Sequence, residues 1–338
     1  MKLFRLFIFM LVGVVSLSPI QAVLADSGLK PDETENLRDD RSSKEFIYPV
    51  LFVHGLGSNS STWNNVKSEL IDQGYEYGGN YENFWSWLNK GDFYTINIKN
   101  TTNTNFDELG EKVADAVEKI RDVTGARKVI LVGHSLGGLA SRSYLNTYPG
   151  DVAALLTIGT PNGGSYLGYA DDFSTDIKNV DGNKLIATGL NFYCEMKKSC
   201  SGSTADALEP DSPELRRLNS ISPPQDVLYL SVIGTSRDYE SVSWFEDLKA
   251  EFAEDFLATF TRYYDDRNVS ICSAGVLINF TDNVVPVCSQ YLFSLFLSKD
   301  YEHYEFYLDG VDHTRQTTDP EGVDVIIEAL EFADDYLR

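Results

Sequence analysis

A serine closing an apolar run and flanked by glycines, in ILVGHSLGGLASRSYL at residues 130–145, can attack a carbonyl carbon if a neighbour takes its proton. Gly133 and Gly137 stand two residues either side of Ser135. Without Cβ atoms they relieve the crowding of a sharp strand-to-helix turn, which would hold the hydroxyl clear of a sheet. The same glycines also suit plain packing of a helix start against a strand, so the rest of the chain must decide between the two. A serine hydroxyl is a weak nucleophile at neutral pH, and its use requires a base and a third group to orient that base.

The chain has four histidines. His54 and His134 sit inside strand-end motifs, and His303 falls in an acidic, aromatic stretch where a surface side chain is expected. His313 follows the last apolar run, in LDGVDHT, and loops at the carboxyl ends of strands are where open α/β sheets place their ligand-contacting groups. His313 is therefore the candidate base. The orienting carboxylate should lie between serine and histidine in the chain, and Asp282 in INFTDNVVPVCS, between apolar stretches, fits partial burial. Asp312 ranks second, because neighbours in a loop usually point apart. Acyl transfer also creates an oxyanion, for which the backbone N–H of Leu136, just after the serine, and of Leu56, between glycines in VHGLGS, are the candidate donors.

These groups require elements that bring them to one edge. FIYPVLFVHG, KVILVG, VAALLTIGTP and DVLYLSVIGT are apolar throughout, as strands buried on both faces are. DFYTINI at 92–98 and YEFYLDG add two more strands. Helices are predicted over about 61–72, after a cap at Asn105 with Phe106, Leu109, Val113, Val117 and Ile120 on one stripe, and from the serine to about Tyr148. The alternation predicts an α/β fold, a mostly parallel sheet with helices on both faces. Two interruptions break it, at about 165–224 and 236–278. The first leaves the sheet beside the serine turn and is expected to form a mobile cap over Ser135. The second carries Trp244, Phe245, Leu248, Phe252, Phe256, Leu257 and Phe260 at helical spacing, a candidate partner for that cap or a stripe packed on the core. A cap of this kind would open at an oil–water interface.

Five motifs in order, VHGLGS, GHSLGG, GTPNGGS, TDNVVPVCS and GVDHT, resemble the bacterial lipase group of the α/β-hydrolase family from about Phe46 onward. The resemblance implies Ser135 as nucleophile, Asp282 as acid, His313 as base, and Leu56 and Leu136 as oxyanion donors. Cys288 resembles the structural cysteine of foldase-dependent lipases. Where those enzymes carry a calcium-ligand aspartate two residues after the histidine, this chain has Arg315, so no metal or other cofactor is expected. The implied function is a secreted serine carboxylic-ester hydrolase acting on lipid or small ester substrates, foremost a lipase that cleaves acylglycerol esters through an acyl-enzyme on Ser135. Alternatives on the same fold are a phospholipase, an acyltransferase, a deacylase of lipid anchors or polyesters, and a protein that only binds.

The formal net charge of -23 over 338 residues disfavours nucleic acid and anionic bilayers as partners. Lys2 and Arg5, an apolar run from Leu6 to Leu17, and Val23-Leu24-Ala25 before Asp26 predict a leader over 1–25, cleaved after Ala25, and hence a secreted or periplasmic protein. Residues 26–45 read as a flexible lead-in to a domain at 46–338. In an exported chain Cys194, Cys200, Cys272 and Cys288 suggest disulfides, with the local pairs Cys194–Cys200 and Cys272–Cys288 favoured; a zinc site lacks nearby histidines and any C-x-x-C. Asn59, Asn100, Asn268 and Asn279 head glycosylation sequons.

Overall fold

The computed structural model describes residues 44–165, 202–210, 212–235, 282, 284–285, 287–292 and 301–338. Its strands are β1 (Val50–Val53), β2 (Tyr77–Tyr81), β3 (Phe93–Ile96), β4 (Val129–His134), β5 (Val152–Ile158), β6 (Leu228–Thr235) and β7 (His303–Asp309). They form one sheet in the order β2-β3-β1-β4-β5-β6-β7. Every neighbouring pair is parallel. Each residue of β1, β4 and β5 is buried, which is the structural counterpart of their unbroken apolar runs. In a parallel sheet all carboxyl ends lie along one edge, so the loops after β1, β4 and β7 share a rim.

The helices are α1 (Asn64–Asp72), α2 (Phe106–Thr124), α3 (Leu136–Thr147), α4 (Ser203–Ala207), α5 (Pro213–Asn219), α6 (Val287–Gln290) and α7 (Pro320–Leu337). The Asn105 side chain caps α2 by accepting the Glu108 N–H at 2.9 Å. Its stripe of Phe106, Leu109, Val113, Val117 and Ile120 is buried with Leu131, Leu139 and Tyr144 on one face of the sheet. On the other face Val66 and Leu70 of α1 and Val323, Ile326 and Leu330 of α7 pack against Phe52, Ile130 and Val132. Fully burying one such side chain stabilises the fold by about 1.5–3 kcal/mol, so these two layers fix where the strand ends stand.

Three features depart from the sequence reading. The edge strand β2, YGGNY, has no apolar run, and its glycines admit a neighbour: the ring of Tyr94 lies 2.1 Å from where a Gly78 Cβ would be. His303 is not a surface residue. Pairing with Tyr229 makes it the first residue of β7, with its ring Nε2 3.4 Å from Ser231 Oγ, and burial lowers its pKa. The stretch anticipated as a cap is also not all cap, for Ala207, Leu208, Leu215 and Leu218 are buried in the same cluster as α2 and α3. The physical reason is ordinary amphipathicity, since Ser212 caps α5 and Leu215 and Leu218 share its inner side. Residues 1–43, 166–201 and 236–281 lie outside the described residues, and with them the leader, the rest of the cap and the Trp244–Phe260 stripe.

Candidate active site

Ser135 stands between β4 and α3 with φ 54° and ψ −127°, one of two non-glycine residues at positive φ among the described residues. Such a backbone costs about 1–3 kcal/mol and persists only where its surroundings enforce it. Here the Ser135 N–H donates to Ile158 O at 2.9 Å, and its carbonyl accepts from the Gly138 N–H at 3.0 Å. Gly137 permits the close approach this requires, because a Cβ there would lie 2.2 Å from Val53 O and 2.7 Å from His54 O. The loop after β1 comes equally near. A Cβ on Gly55 would sit 2.9 Å from Ser135 Cβ and 3.4 Å from its Oγ.

His313 and Asp282 meet beside this turn. Nδ1–H of His313 donates to Asp282 Oδ2 at 2.7 Å, with the carboxylate fully buried and the imidazole 6% exposed. That bond leaves Nε2 as the ring nitrogen open to a hydroxyl. The backbones are joined as well, His313 N–H to Asp282 O at 2.8 Å. Asp282 Oδ1 accepts from the N–H groups of Val284 and Val285 at 3.1 and 2.7 Å, and Oδ2 accepts a second bond from Gln316 Nε2 at 2.9 Å. Four donors therefore converge on one carboxylate, and together they fix its position and orientation against His313. Asp312 is elsewhere engaged: its Oδ1 accepts from Thr314 N–H, Thr314 Oγ1 and Arg315 N–H on an exposed turn.

The two histidines of the strand-end motifs hold this geometry. His134, next to the serine, donates from Nε2 to His313 O at 3.0 Å, and its ring centroid lies 4.8 Å from that of His313. Burial, then the neighbouring His313, pushes its pKa down to about 3, so it is a neutral brace. His54 donates from Nδ1 to Gly55 O at 2.9 Å and accepts the Ile98 N–H on Nε2 at 2.9 Å, which fixes one neutral tautomer, and burial lowers its pKa. It thereby shapes the turn that carries Leu56. Gly57 N–H is bound by Thr101 Oγ1 at 2.9 Å, whereas the N–H groups of Leu56 and Leu136 have no acceptor among the described residues. Amides left open beside a serine are what an oxyanion needs.

Sequence reasoning missed the glutamines that support the carboxylate. Gln316 is fully buried three residues after His313, and nothing in the spacing of HTRQ marks it. Gln290 donates from Nε2 to Gly234 O at 3.1 Å and to Val285 O at 3.0 Å, and accepts the Gly234 N–H on Oε1 at 2.8 Å, tying the Asp282 turn to the end of β6. Gln290 O in turn accepts from Asn162 Nδ2 at 3.0 Å, and Asn162 Oδ1 accepts from Arg142 Nη1 at 3.1 Å. That explains GTPNGGS: its asparagine links the serine's helix to the segment after the acid. Arg142 also donates to Asn219 Oδ1 at 2.8 Å, and burial lowers its pKa to about 10. Arg315, where the resemblance would place a calcium ligand, pairs with Asp319. Cys288 lies in α6, while Cys194, Cys200 and Cys272, and so both anticipated pairings, fall outside the described residues.

A parallel sheet with a serine on a strained turn after its central strand, a histidine after its last, and a carboxylate between them in the chain is the arrangement of the α/β hydrolases. The chain belongs to the family of the PGAP1-like alpha/beta domain, which matches residues 47–293. It is 31% identical over 172 residues to a triacylglycerol lipase of Pseudarthrobacter phenanthrenivorans, across 48% of this chain and 48% of that one. A triacylglycerol lipase of Vibrio cholerae is 25% identical over 247 residues, across 72% and 74% of the two chains. The chain thus spans about half of the length of the first relative and more of the second. Among solved structures, the mature Bacillus licheniformis lipase BlEst2 superposes with a TM-score of 0.53 at 18% identity, over 84% of this chain and 91% of that one, a likeness of fold.

Proposed function

We propose that the chain is an exported serine ester hydrolase that cleaves lipid esters, acylglycerols foremost, through an acyl-enzyme on Ser135. The observation that carries the reading is the buried His313–Asp282 pair at 2.7 Å, braced by the residue next to a serine held at φ 54°. In the proposed cycle Ser135 Oγ attacks the ester carbonyl as its proton passes to His313 Nε2. The oxyanion forms against the N–H groups of Leu56 and Leu136, and the imidazolium is stabilised by Asp282. The tetrahedral adduct collapses as the alcohol leaves with the proton from Nε2. Water, losing a proton to Nε2, then attacks the acyl carbonyl, and the serine is regenerated with release of the acid.

The lipase character rests on similarity to the Pseudarthrobacter and Vibrio proteins, and export rests on Lys2, Arg5 and the apolar run to Leu17. Hydrolysis of soluble p-nitrophenyl butyrate by the full chain, lost in Ser135→Ala, tests the chemistry; unchanged turnover in that variant refutes it. Rates on tributyrin emulsion, phosphatidylcholine and a glycolipid-anchored peptide then separate acylglycerol cleavage from the phospholipase and anchor-deacylase alternatives.

A further inference from the structure

The loop leaving β2 carries three large aromatic side chains into solvent: Phe84 is 73% exposed, Trp85 81% and Trp87 95%. The loop is ordered, not frayed. The Ser86 hydroxyl oxygen accepts the N–H groups of Glu82 and Asn83 at 2.8 and 3.1 Å, the Ser86 N–H returns to Asn83 O at 2.9 Å, and Asn83 Oδ1 accepts the Trp85 N–H at 2.9 Å. Phe84 and Trp85 pack edge to face at 5.2 Å. A folded turn thus holds apolar rings outward although the hydrophobic effect favours their burial, and such a patch marks an interaction surface.

Its place in the fold suggests what it meets. Because β2 is parallel to β3, and β3 to β1 and β4 through the sheet, the loop leaves from the same edge that carries Ser135, whose strand β4 stands three strand spacings, or roughly 14 Å, along the rim. Tryptophan, with an apolar body and one polar N–H, prefers the boundary between lipid and water. Charge narrows the surface further. The cavity of about 490 Å³ beside Phe84 is lined by Lys99, Lys112 and Lys119 against Asp115, Glu118 and Asp122, with no basic excess, and the whole chain is at -23. An anionic bilayer would repel it.

We propose that Phe84, Trp85 and Trp87 form an anchor that seats the catalytic rim on an uncharged or zwitterionic lipid surface. This deepens the reading of the site as a lipid-ester hydrolase and rests on it. The surface is separate from the sequence stretches anticipated as a cap. Its test uses the full chain as Ser135→Ala, so that lipid is not consumed, mixed with phosphatidylcholine vesicles and sedimented. The expected result is co-sedimentation with a blue shift of tryptophan emission, a partition at least tenfold weaker when Trp85→Ser and Trp87→Ser are added, and weaker binding when phosphatidylglycerol replaces half of the lipid. Thermal midpoints of the two proteins should agree, since both side chains are exposed. Equal sedimentation of the loop variant, absence of binding by the parent protein, or a dimer in solution that the loop variant dissolves would each overturn the anchor. Hydrolysis of soluble p-nitrophenyl butyrate by the wild-type chain is read separately, so loss of the anchor and loss of the hydrolase reading are distinguishable.

Discussion

Replacing Asp282 by asparagine changes one atom, and the structure says what that atom does. Oδ1 can go on accepting the N–H groups of Val284 and Val285, at 3.1 and 2.7 Å. The new amide NH₂, however, would face two donors, His313 Nδ1–H at 2.7 Å and Gln316 Nε2 at 2.9 Å. Gln316 can turn end over end, offering its Oε1, which has no hydrogen-bond partner among the described residues. The cost to the fold is then about that of one disturbed buried hydrogen bond, roughly 1–3 kcal/mol. His313 has only one remedy, to move its proton so that Nδ1 accepts and Nε2 carries the hydrogen. In that tautomer Nε2 cannot receive the serine proton. The loss expected is about four orders of magnitude in kcat, or roughly 5.5 kcal/mol of barrier, with KM little changed. Initial rates with p-nitrophenyl butyrate, beside a thermal midpoint to establish folding, measure it. A folded Asp282→Asn protein within tenfold of wild type would refute the argument, and so would a crippling Asp312→Asn, since Asp312 only caps a turn at Thr314 and Arg315.

Further outcomes follow from the same contacts. Gly55→Ala would set a Cβ 2.9 Å from Ser135 Cβ and 3.2 Å from His134 O, displacing the Leu56 amide; kcat should fall about 10²–10³-fold, the effect of losing one oxyanion donor, and an unchanged kcat would count against the loop's role. Gly137→Ala puts its Cβ 2.2 Å from the Val53 carbonyl, which cannot swing aside, so urea unfolding should show a loss of at least about 1–3 kcal/mol. The pKa of His134, held at about 3 against about 6.5 when unfolded, means that only the unfolded chain gains this proton between those values. Stability is therefore full above pH 6.5 and declines as pH falls toward 3, by up to about 1.4 kcal/mol per unit. Burial of His54 and His303 acts in the same direction, and urea midpoints at pH 7, 5.5 and 4 should shift less in His134→Asn. The proposed export is tested by expressing the full chain in an exporting host: amino-terminal sequencing of protein recovered outside the cytoplasm should begin at Asp26, and an intact Met1 would refute cleavage after Ala25.

The sequence by itself determined whatever is local or periodic. Unbroken apolar runs at β1, β4, β5 and β6 could only be strands covered on both faces, and the spacing from Phe106 to Ile120 could only bury one stripe of a helix. The glycines about Ser135 and the order serine, aspartate, histidine singled out the residues that the fold brings to one rim, because a strained turn restricts residue types. Tertiary structure decided what depends on neighbours distant in the chain. Gln316 reaches Asp282 across 34 positions, and Gln290 reaches Gly234 across 56, through side-chain amides that leave no pattern. The strand character of YGGNY came from Tyr94 filling the space above Gly78, and the burial of Leu215 and Leu218 from the face that α2 and α3 offered. His303 looked like a surface residue by composition and is half-buried by its register against Tyr229. Polar contacts of this kind are chosen by the shape of the assembled core, which must satisfy each donor and acceptor it buries, and that requirement exists only once the chain has folded.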